Sequence, residues 1–354
     1  IVKDHPFSDS KTGAAHACGH HCQIGMMLAA GMALNTAIMQ EQLCGRIILM
    51  AVPAEEYIEL EYRDTLRALG KLEFLGGKPE FIRLGEFDEI DIAMMMHTTS
   101  DPNEKQICIS GTNNGTVAKR IKFIGKGAHA GGAPHLGINA LNAASLALSA
   151  IHYNRETFKD SDTIRVHPII TNGGEAVSAV PAEVTMETFI RGKTMEAIMD
   201  ANAKVDRALR AGALAVGAQV NIKTIPGYMP LSQDPNLMNI LKENATHLVG
   251  EENIGRRIHG TGSTDMGDVS QIMPVIHPYV GGATGIGHGA TYVIEDYQLA
   301  VITAAKALAS TAIDLLSNSA KLGNEVLGKH RPNMSSAEYL AYMRNMNSDN
   351  TYDS

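Results

Sequence analysis

Apolar and polar positions follow two different patterns in the first third of the chain. Apolar residues recur every three or four positions from Gly19 to Leu34, a spacing typical of an amphipathic helix. Two short continuous apolar runs, residues 45–52 and 91–96, are instead typical of strands buried on both faces. A second helix is predicted over residues 63–74. Because helices and strands alternate, the pattern favours an α/β domain with a mostly parallel sheet.

The pattern changes from about residue 112. The predicted order of elements there is βαββαβ, which is that of a ferredoxin-like α+β domain. The strands are predicted at 116–124, 163–170, 183–190 and 218–225, and the helices at 138–151 and 194–213. We therefore predict a catalytic α/β domain at 1–111 plus 226–320, interrupted by an inserted domain at 112–225.

The last part of the chain is predicted to be simpler. An apolar helix is expected over residues 295–316, and residues 321–354 form a polar C-terminal tail. Ser335 and Glu338 have the spacing of a helix-capping box, so one short helix is expected in the tail. The remainder of the tail is expected to be loose.

Composition and charge exclude several classes of function. Hydrophobic residues make up 44% and charged residues 19% of the 354-residue chain, which indicates a folded protein with a core. A net charge of −8 disfavours a nucleic-acid or anionic-membrane partner, and no apolar run approaches the length of about 20 residues that a bilayer span needs. Four cysteines are too few for a disulfide scaffold, so a reduced, cytoplasmic protein is expected. Since the chain begins at Ile1 rather than Met, we expect an N-terminal part to be missing.

A cluster of candidate metal-binding residues lies at the start of the first predicted helix. Five side chains that can bind a metal lie within seven residues: His16, Cys18, His20, His21 and Cys22. Imidazole and thiolate are the ligands preferred by zinc-like ions. The alternative is a polar helix cap with incidental histidines, because the spacing is not that of a standard zinc finger.

Two further polar groups follow the predicted strands. Glu55 and Glu56 come just after the run at 45–52, and His97 follows the run at 91–96. Two adjacent carboxylates repel each other unless a cation or a proton compensates their charge. Open α/β sheets bind their ligands at the edge formed by the carboxyl ends of the strands, where these residues are predicted to lie. A solvated loop and a core histidine are the plain alternatives, but three such groups meeting at one edge favour a metal site. His129 and His288 lie in separate glycine-rich loops, where backbone can approach a ligand closely.

Seven segments in chain order resemble the dinuclear metallo-amidohydrolases and metallopeptidases of clan MH, which include aminoacylases, indole-acetyl-amino-acid hydrolases, p-aminobenzoyl-glutamate hydrolases and aminoacylase-1-like dipeptidases. The set is specific as a whole, although each member alone is weak. The segments are HACGH at 16–20, PAEE at 53–56, His97, GKGAHAGGAPHLGINAL at 125–141, GGEAVSAVPAEV at 173–184, GSTDMGDVSQIMPVIHPY at 262–279 and GHGATY at 287–292.

The resemblance implies a function and a set of site residues. It implies hydrolysis of an amide bond in an N-acyl amino acid or small dipeptide-like substrate by a water molecule activated at two divalent ions (Zn, or Mn, Co or Ni). Glu55 is implied as the general base and His129, reaching into a partner subunit, as the group that stabilises the tetrahedral intermediate. Arg191 is implied to bind the substrate carboxylate, and the inserted domain to be a lid that forms a homodimer. The implied metal ligands are Cys18 as a bridge, His20, Glu56, His97 and His288.

Two departures and two alternatives stay open. Relatives usually carry Asp or Asn where His21 follows the Cys-Gly-His triplet, so His21 or Cys22 could compete for metal. Ser178 stands where relatives usually have Asn. A catalytically silent metal-bound dimer with a binding or regulatory role is the rival function. A mononuclear zinc hydrolase, in which Cys18 is structural, is the second alternative.

Overall fold

The computed structural model describes residues 4–36 and 42–353. Its main helices are α1 (His20–Leu34), α2 (Leu60–Ala68), α3 (Gly77–Leu84), α4 (Ala140–Tyr153), α5 (Met195–Val216), α6 (Pro235–Val249), α7 (Met266–Ile272), α8 (Ala304–Lys329) and α9 (Ser336–Asn345). Its strands are β1 (Ala93–Met94), β2 (His97–Thr98), β3 (Ile107–Asn113), β4 (Gly115–Ile124), β5 (Arg165–Val166), β6 (Ile169–Asn172), β7 (Glu183–Gly192), β8 (Gln219–Tyr228), β9 (Leu231–Ser232), β10 (Ile254–Gly260), β11 (Val275–Ile276), β12 (Tyr279–Val280), β13 (Ala283–Thr284), β14 (Val293–Ile294) and β15 (Ser348–Tyr352). The predicted fold class, an α/β domain with an inserted α+β domain, is confirmed.

A mixed sheet organises the first domain. Its strand order is β10-β3-β12-β2, with β9 added beside β3, and the separate pair β1-β11 is parallel. The chain from β1 to β2 follows residues 274–280 in parallel, and the His97 amide donates to the Pro278 carbonyl at 3.0 Å. This pairing fixes the backbone of His97 at the end of the predicted apolar run. The strand predicted at 91–96 is thus confirmed over its central part.

The strand predicted over residues 45–52 is wrong as a buried strand. The structure assigns no strand to this segment, and Ile47, Ile48 and Leu49 are 39%, 45% and 45% exposed. Among the described residues no strand pairs with its backbone. A run of apolar residues indicates that the segment tends to be buried, but a strand also needs a neighbouring strand to which its backbone can hydrogen-bond. The helix predicted at 63–74 is also shifted, since α2 ends at Ala68.

The inserted domain is an antiparallel sheet covered by α4 and α5. The strands lie in the order β15-β8-β4-β7-β5, with β6 also paired to β7. The long helix α5 begins after Thr194, whose hydroxyl accepts the Ala197 amide, and ends at Gly217, which takes a φ of +73°. Alanines of α4 face α5 closely enough that a Cβ at Gly212 would lie 2.5 Å from the Ala143 carbonyl oxygen. The predicted βαββαβ order is confirmed.

The C-terminal tail is more ordered than predicted. The expected capping box is present, because Ser335 and Glu338 cap α9 reciprocally. The expectation that the remainder is loose is wrong, since β15 pairs antiparallel with β8 from Ser348 to Tyr352. A polar segment can form such a strand at a sheet edge, because its side chains remain in water while its backbone completes the ladder.

One helical stretch, Gln298–Lys329, is long and apolar enough to cross a membrane by length and composition. Half of its most apolar window is buried within the protein, and α8 packs against α1 and α6. A buried core helix passes the same test, so this stretch is weak evidence for a membrane span.

Deleting one hydroxyl in α9 tests how the tail is attached. The fully buried Tyr339 donates to Asp268 at 2.8 Å, and Asp268 is also completely buried. We expect Tyr339→Phe to lower the free energy of unfolding by about 1–2 kcal/mol, because a buried acceptor loses a partner. Urea unfolding measures this, with Tyr342→Phe on the same helix as the control. Equal stability of the two variants would contradict the prediction.

Candidate metal centre

Cys18 lies between two groups of potential metal ligands. Its sulfur is 3.4 Å from His97 Nε2 and 3.3 Å from His288 Nε2. Cys18, His20 and His97 form one group whose ligand atoms all lie within 4.8 Å of one another, and Cys18, Glu56 and His288 form a second. The Cys18 thiol is therefore within reach of both groups.

Local backbone structure brings these side chains together. Gly19 takes a φ of +91°, and a Cβ there would lie 2.0 Å from the Thr98 hydroxyl, so the turn before α1 packs directly on β2. The His288 amide donates to the Ala17 carbonyl at 2.7 Å, which ties the 285–289 loop to the same turn. His288 itself has a φ of +62°. A non-glycine residue in the left-handed region is uncommon and is enriched at functional sites.

Glu55 lies outside the two groups that share Cys18 but forms a third possible group with His20 and Glu56. Its Oε2 is 3.6 Å from His20 Nε2, and Glu56 Oε1 is 3.1 Å from His288 Nε2. Burial and the neighbouring Asp265 carboxylate raise the pKa of Glu55 to about 7. The hydrogen bond with His288 lowers the pKa of Glu56 to about 2. The two adjacent carboxylates are therefore differentiated into a group that can exchange a proton near neutral pH and one that stays ionised.

The donor set fits divalent ions. His20 Nε2 is buried and has no hydrogen-bond partner among the described residues, although burial lowers the pKa of His20 to about 4 and keeps the ring neutral. Burial, with Glu56 and Glu55, raises the pKa of the Cys18 thiol, so this sulfur ionises at neutral pH only beside a cation. The His97 Nδ1 contacts the Thr98 carbonyl at 2.7 Å, which leaves Nε2 free of the proton and turned to Cys18.

His21 and Cys22, the two possible competitors, lie outside these groups. Cys22 is fully buried in the apolar cluster that contains Met26 and Ala30. His21 Nε2 is instead 3.4 Å from the Tyr297 hydroxyl. Among the described residues neither belongs to a group that could hold an ion.

Arg191 lies on the side of the inserted domain that faces Glu55. Arg191 on β7 is paired with Thr116 on β4, and Thr116 is paired with Tyr228 on β8. The three side chains therefore share one face of the sheet. The Tyr228 hydroxyl donates to the Glu55 carbonyl. Burial lowers the pKa of Arg191, while the negative charges of Glu56 and Glu55 oppose that shift.

His129 is exposed and belongs to none of the ligand groups found among the described residues. Its Nδ1 accepts hydrogen bonds from the Gly131 and Gly132 amides at 3.1 and 2.9 Å. Because Nδ1 is an acceptor, the ring proton is on Nε2, which points the only ring donor away from the loop. The hydrogen bonds that the structure describes for His129 stay within its own loop. The loop is held by Ala130, whose amide donates to the Ser178 carbonyl at 2.8 Å.

Sequence reasoning missed the residues that surround Glu55. Lys78 and Asp265 form a buried ion pair beside it, and the Tyr57 ring packs edge-on against Tyr228 at a centroid distance of 4.7 Å. Lys78 and Asp265 are 187 positions apart, so no local pattern links them. The one available signal was that Asp265 lies inside a segment already assigned to the resemblance, without a role.

Comparison with known proteins identifies the family of this chain. The chain matches the family model Peptidase family M20/M25/M40 over residues 2–314. It is 31% identical over 321 residues to the Xaa-Arg dipeptidase of Mus musculus, covering 87% of this chain and 68% of that protein. It is 27% identical to the indole-3-acetyl-aspartic acid hydrolase of Enterobacter agglomerans, covering 73% of this chain and 55% of that one.

Solved structures show the same fold. A putative aminohydrolase from methicillin-resistant Staphylococcus aureus superposes with a TM-score of 0.65 at 20% identity, covering 89% of this chain and 78% of that one. The YXEP protein of Bacillus subtilis, described as a dinuclear metal binding peptidase, superposes with a TM-score of 0.60 at 19% identity, covering 89% and 77%. The extent of the family match and the similarity to the mouse dipeptidase show that this chain belongs to peptidase family M20/M25/M40 and is a hydrolase acting on amide or peptide bonds.

Proposed function

We propose that this protein hydrolyses the amide bond of an N-acyl amino acid or a small dipeptide-like substrate at a centre for two divalent ions. The observation that carries the proposal is the shared position of Cys18 in two ligand groups, with the Glu55 carboxylate beside them. Cys18, His20, Glu56, His97 and His288 would hold the ions. Bound there, the ions would polarise the scissile carbonyl and lower the pKa of a water molecule towards neutrality.

Glu55 and His129 carry out the remaining steps of the proposed reaction. Glu55 takes the proton from the attacking water and returns it to the leaving amine, a role suited to a carboxyl group whose pKa is about 7. His129 offers its Nε2–H to the oxyanion of the tetrahedral intermediate. Because the exposed His129 belongs to none of the ligand groups of its own protomer, we propose that it acts in the site of a partner subunit, which makes the active form a homodimer.

The decisive experiment is amide hydrolysis by protein reconstituted with Zn²⁺, Mn²⁺, Co²⁺ or Ni²⁺ in turn. N-acyl amino acids, dipeptides and p-aminobenzoyl-glutamate form the panel, since relatives are named as an indole-3-acetyl-aspartic acid hydrolase, a dipeptidase and a p-aminobenzoyl-glutamate hydrolase. Turnover with about two ions per protomer supports the proposal. A ratio near one supports a mononuclear hydrolase with a structural Cys18. Full loading without turnover on any member supports a silent metal-bound dimer with a binding or regulatory role.

Arg191 is proposed to bind the free carboxylate of the substrate. An arginine fork binds a carboxylate through two parallel hydrogen bonds, which a lysine cannot reproduce. We expect Arg191→Lys to raise KM at least about tenfold for an N-acyl amino acid, the cost of about 1.4 kcal/mol of binding energy. KM for the corresponding C-terminal amide is expected to change little.

Arg165→Lys is the matched control for this prediction. Arg165 is paired with Arg191 across β5 and β7 but is exposed. Its variant should keep the wild-type KM for both substrates. An equal rise of KM for the acid and the amide in Arg191→Lys would contradict the assignment.

A further inference from the structure

Lys78 and Asp265 form a buried ion pair that the proposed mechanism does not use. Lys78 is 8% exposed and Asp265 is completely buried. One oxygen of the Asp265 carboxylate accepts the Lys78 ammonium, and the other accepts the Lys78 backbone amide at 3.1 Å. Asp265 immediately precedes α7 and Lys78 lies in the first turn of α3, so the pair joins the starts of the two helices.

The start of α3 packs on the turn that precedes Glu55. The Gly77 amide donates to the Ala54 carbonyl at 3.3 Å. A Cβ at Gly77 would lie 1.9 Å from the Pro53 carbonyl oxygen, so backbone meets backbone with no side chain between them. Any shift of the first turn of α3 is therefore transmitted directly to the turn at 53–55.

That turn is strained and needs support. Ala54 has a φ of +58°, in the left-handed region that an alanine rarely occupies. Such conformations persist only where the surroundings hold them. The Gly77 amide holds the carbonyl of Ala54, and the Tyr228 hydroxyl holds the carbonyl of Glu55.

We propose that Lys78 and Asp265 are a positioning pair, which holds α3 against the turn at 53–55 and thereby fixes the Glu55 carboxylate beside the metal centre. The inference rests on the proposed role of Glu55 as the base. Two opposite charges also suit this place better than one, because a lone buried carboxylate would repel Glu55 and a lone ammonium would compete with the ions.

The test removes both charges at once. A single substitution would leave one buried charge without its partner and could prevent folding, whereas an apolar pair of similar volume avoids that cost. The test variant is therefore Lys78→Met/Asp265→Leu. The control variant is Lys119→Met/Asp206→Leu, which removes a 2.6 Å ion pair between the fully buried Lys119 and the partly exposed Asp206 within the inserted domain.

We expect kcat of the test variant to fall at least about tenfold, because small displacements of a catalytic group cost up to about 10²-fold. KM should stay within about twofold of wild type and the metal content should be unchanged. Amide hydrogen exchange should be faster at Gly77, whose bond to Ala54 is not itself mutated. The control variant should match wild type in all four measurements.

Two outcomes would overturn the positioning role. One is a kcat within about twofold of wild type in a folded, metal-loaded test variant. The other is wild-type exchange protection at Gly77. If the wild-type protein hydrolyses no substrate, the proposed function fails, and exchange at Gly77 still decides for or against the positioning pair.

Discussion

Replacing Glu55 by Gln is expected to lower kcat by about 10³-fold while the protein retains its full metal content. Gln preserves the shape of the side chain but cannot accept a proton from water or pass one to the leaving amine. Metal retention is expected because neither of the two ligand groups that share Cys18 includes Glu55, whereas a third group of His20, Glu55 and Glu56 does. Steady-state kinetics and metal analysis on the same preparation check both parts.

Glu61→Gln is the control for this substitution. Glu61 lies a few residues along the chain, its side chain is 82% exposed, and it forms a 3.2 Å ion pair with Arg120. Its variant should have wild-type kcat. Half or more of the wild-type activity in Glu55→Gln would exclude Glu55 as the base, and loss of metal from that variant would make Glu55 a ligand instead.

The pH dependence of kcat/KM should report the protonation of the Glu55 carboxylate. A carboxyl group with a pKa near 7 is protonated and inactive as a base at lower pH, so the rate should fall as the pH decreases through that region. Bound ions add positive charge and move this limb to lower pH. The metal-reconstituted wild type is therefore expected to lose activity in mildly acidic buffer through protonation of Glu55.

The parts of the site that could be predicted from the sequence are those whose residues lie at the end of a strand or at the start of a helix. His97 ends an apolar run, and Cys18 and His20 lie at the start of a helix, so the topology of an α/β sheet brings them to one edge. The capping box at Ser335 and Glu338 was similarly predictable, because it depends on four consecutive residues. Local rules suffice in these places since the interacting groups are close in sequence or at the ends of regular elements.

The remainder depends on partners that are distant in sequence. Strand β15 has no apolar alternation, and only its pairing with β8 makes it a strand. The run at 45–52 shows the reverse, because it has the composition of a strand and lacks a paired neighbour among the described residues. The Lys78–Asp265 pair likewise exists only once α3 and α7 are packed.

Mixing two inactive variants is expected to restore activity if His129 acts across the dimer. His129→Ala should lower kcat by about 10²-fold, since it removes one donor to the oxyanion. In a heterodimer with Glu55→Gln, one site combines the intact Glu55 of the first protomer with the intact His129 of the second. Random exchange makes half of the dimers mixed, each with one intact site, so about a quarter of the wild-type activity should return.

The control mixture distinguishes this rescue from simple stabilisation. Cys18→Ser and Glu55→Gln affect ligand and base of the same protomer's site, so their heterodimer contains no intact site and should remain inactive. Subunit exchange is verified in both mixtures by native mass spectrometry. Activity restored only with His129→Ala requires the imidazole to come from the partner, because each Glu55→Gln protomer lacks its own base. Absence of rescue despite complete exchange would place His129 outside the shared site and leave the oxyanion to groups of the same protomer.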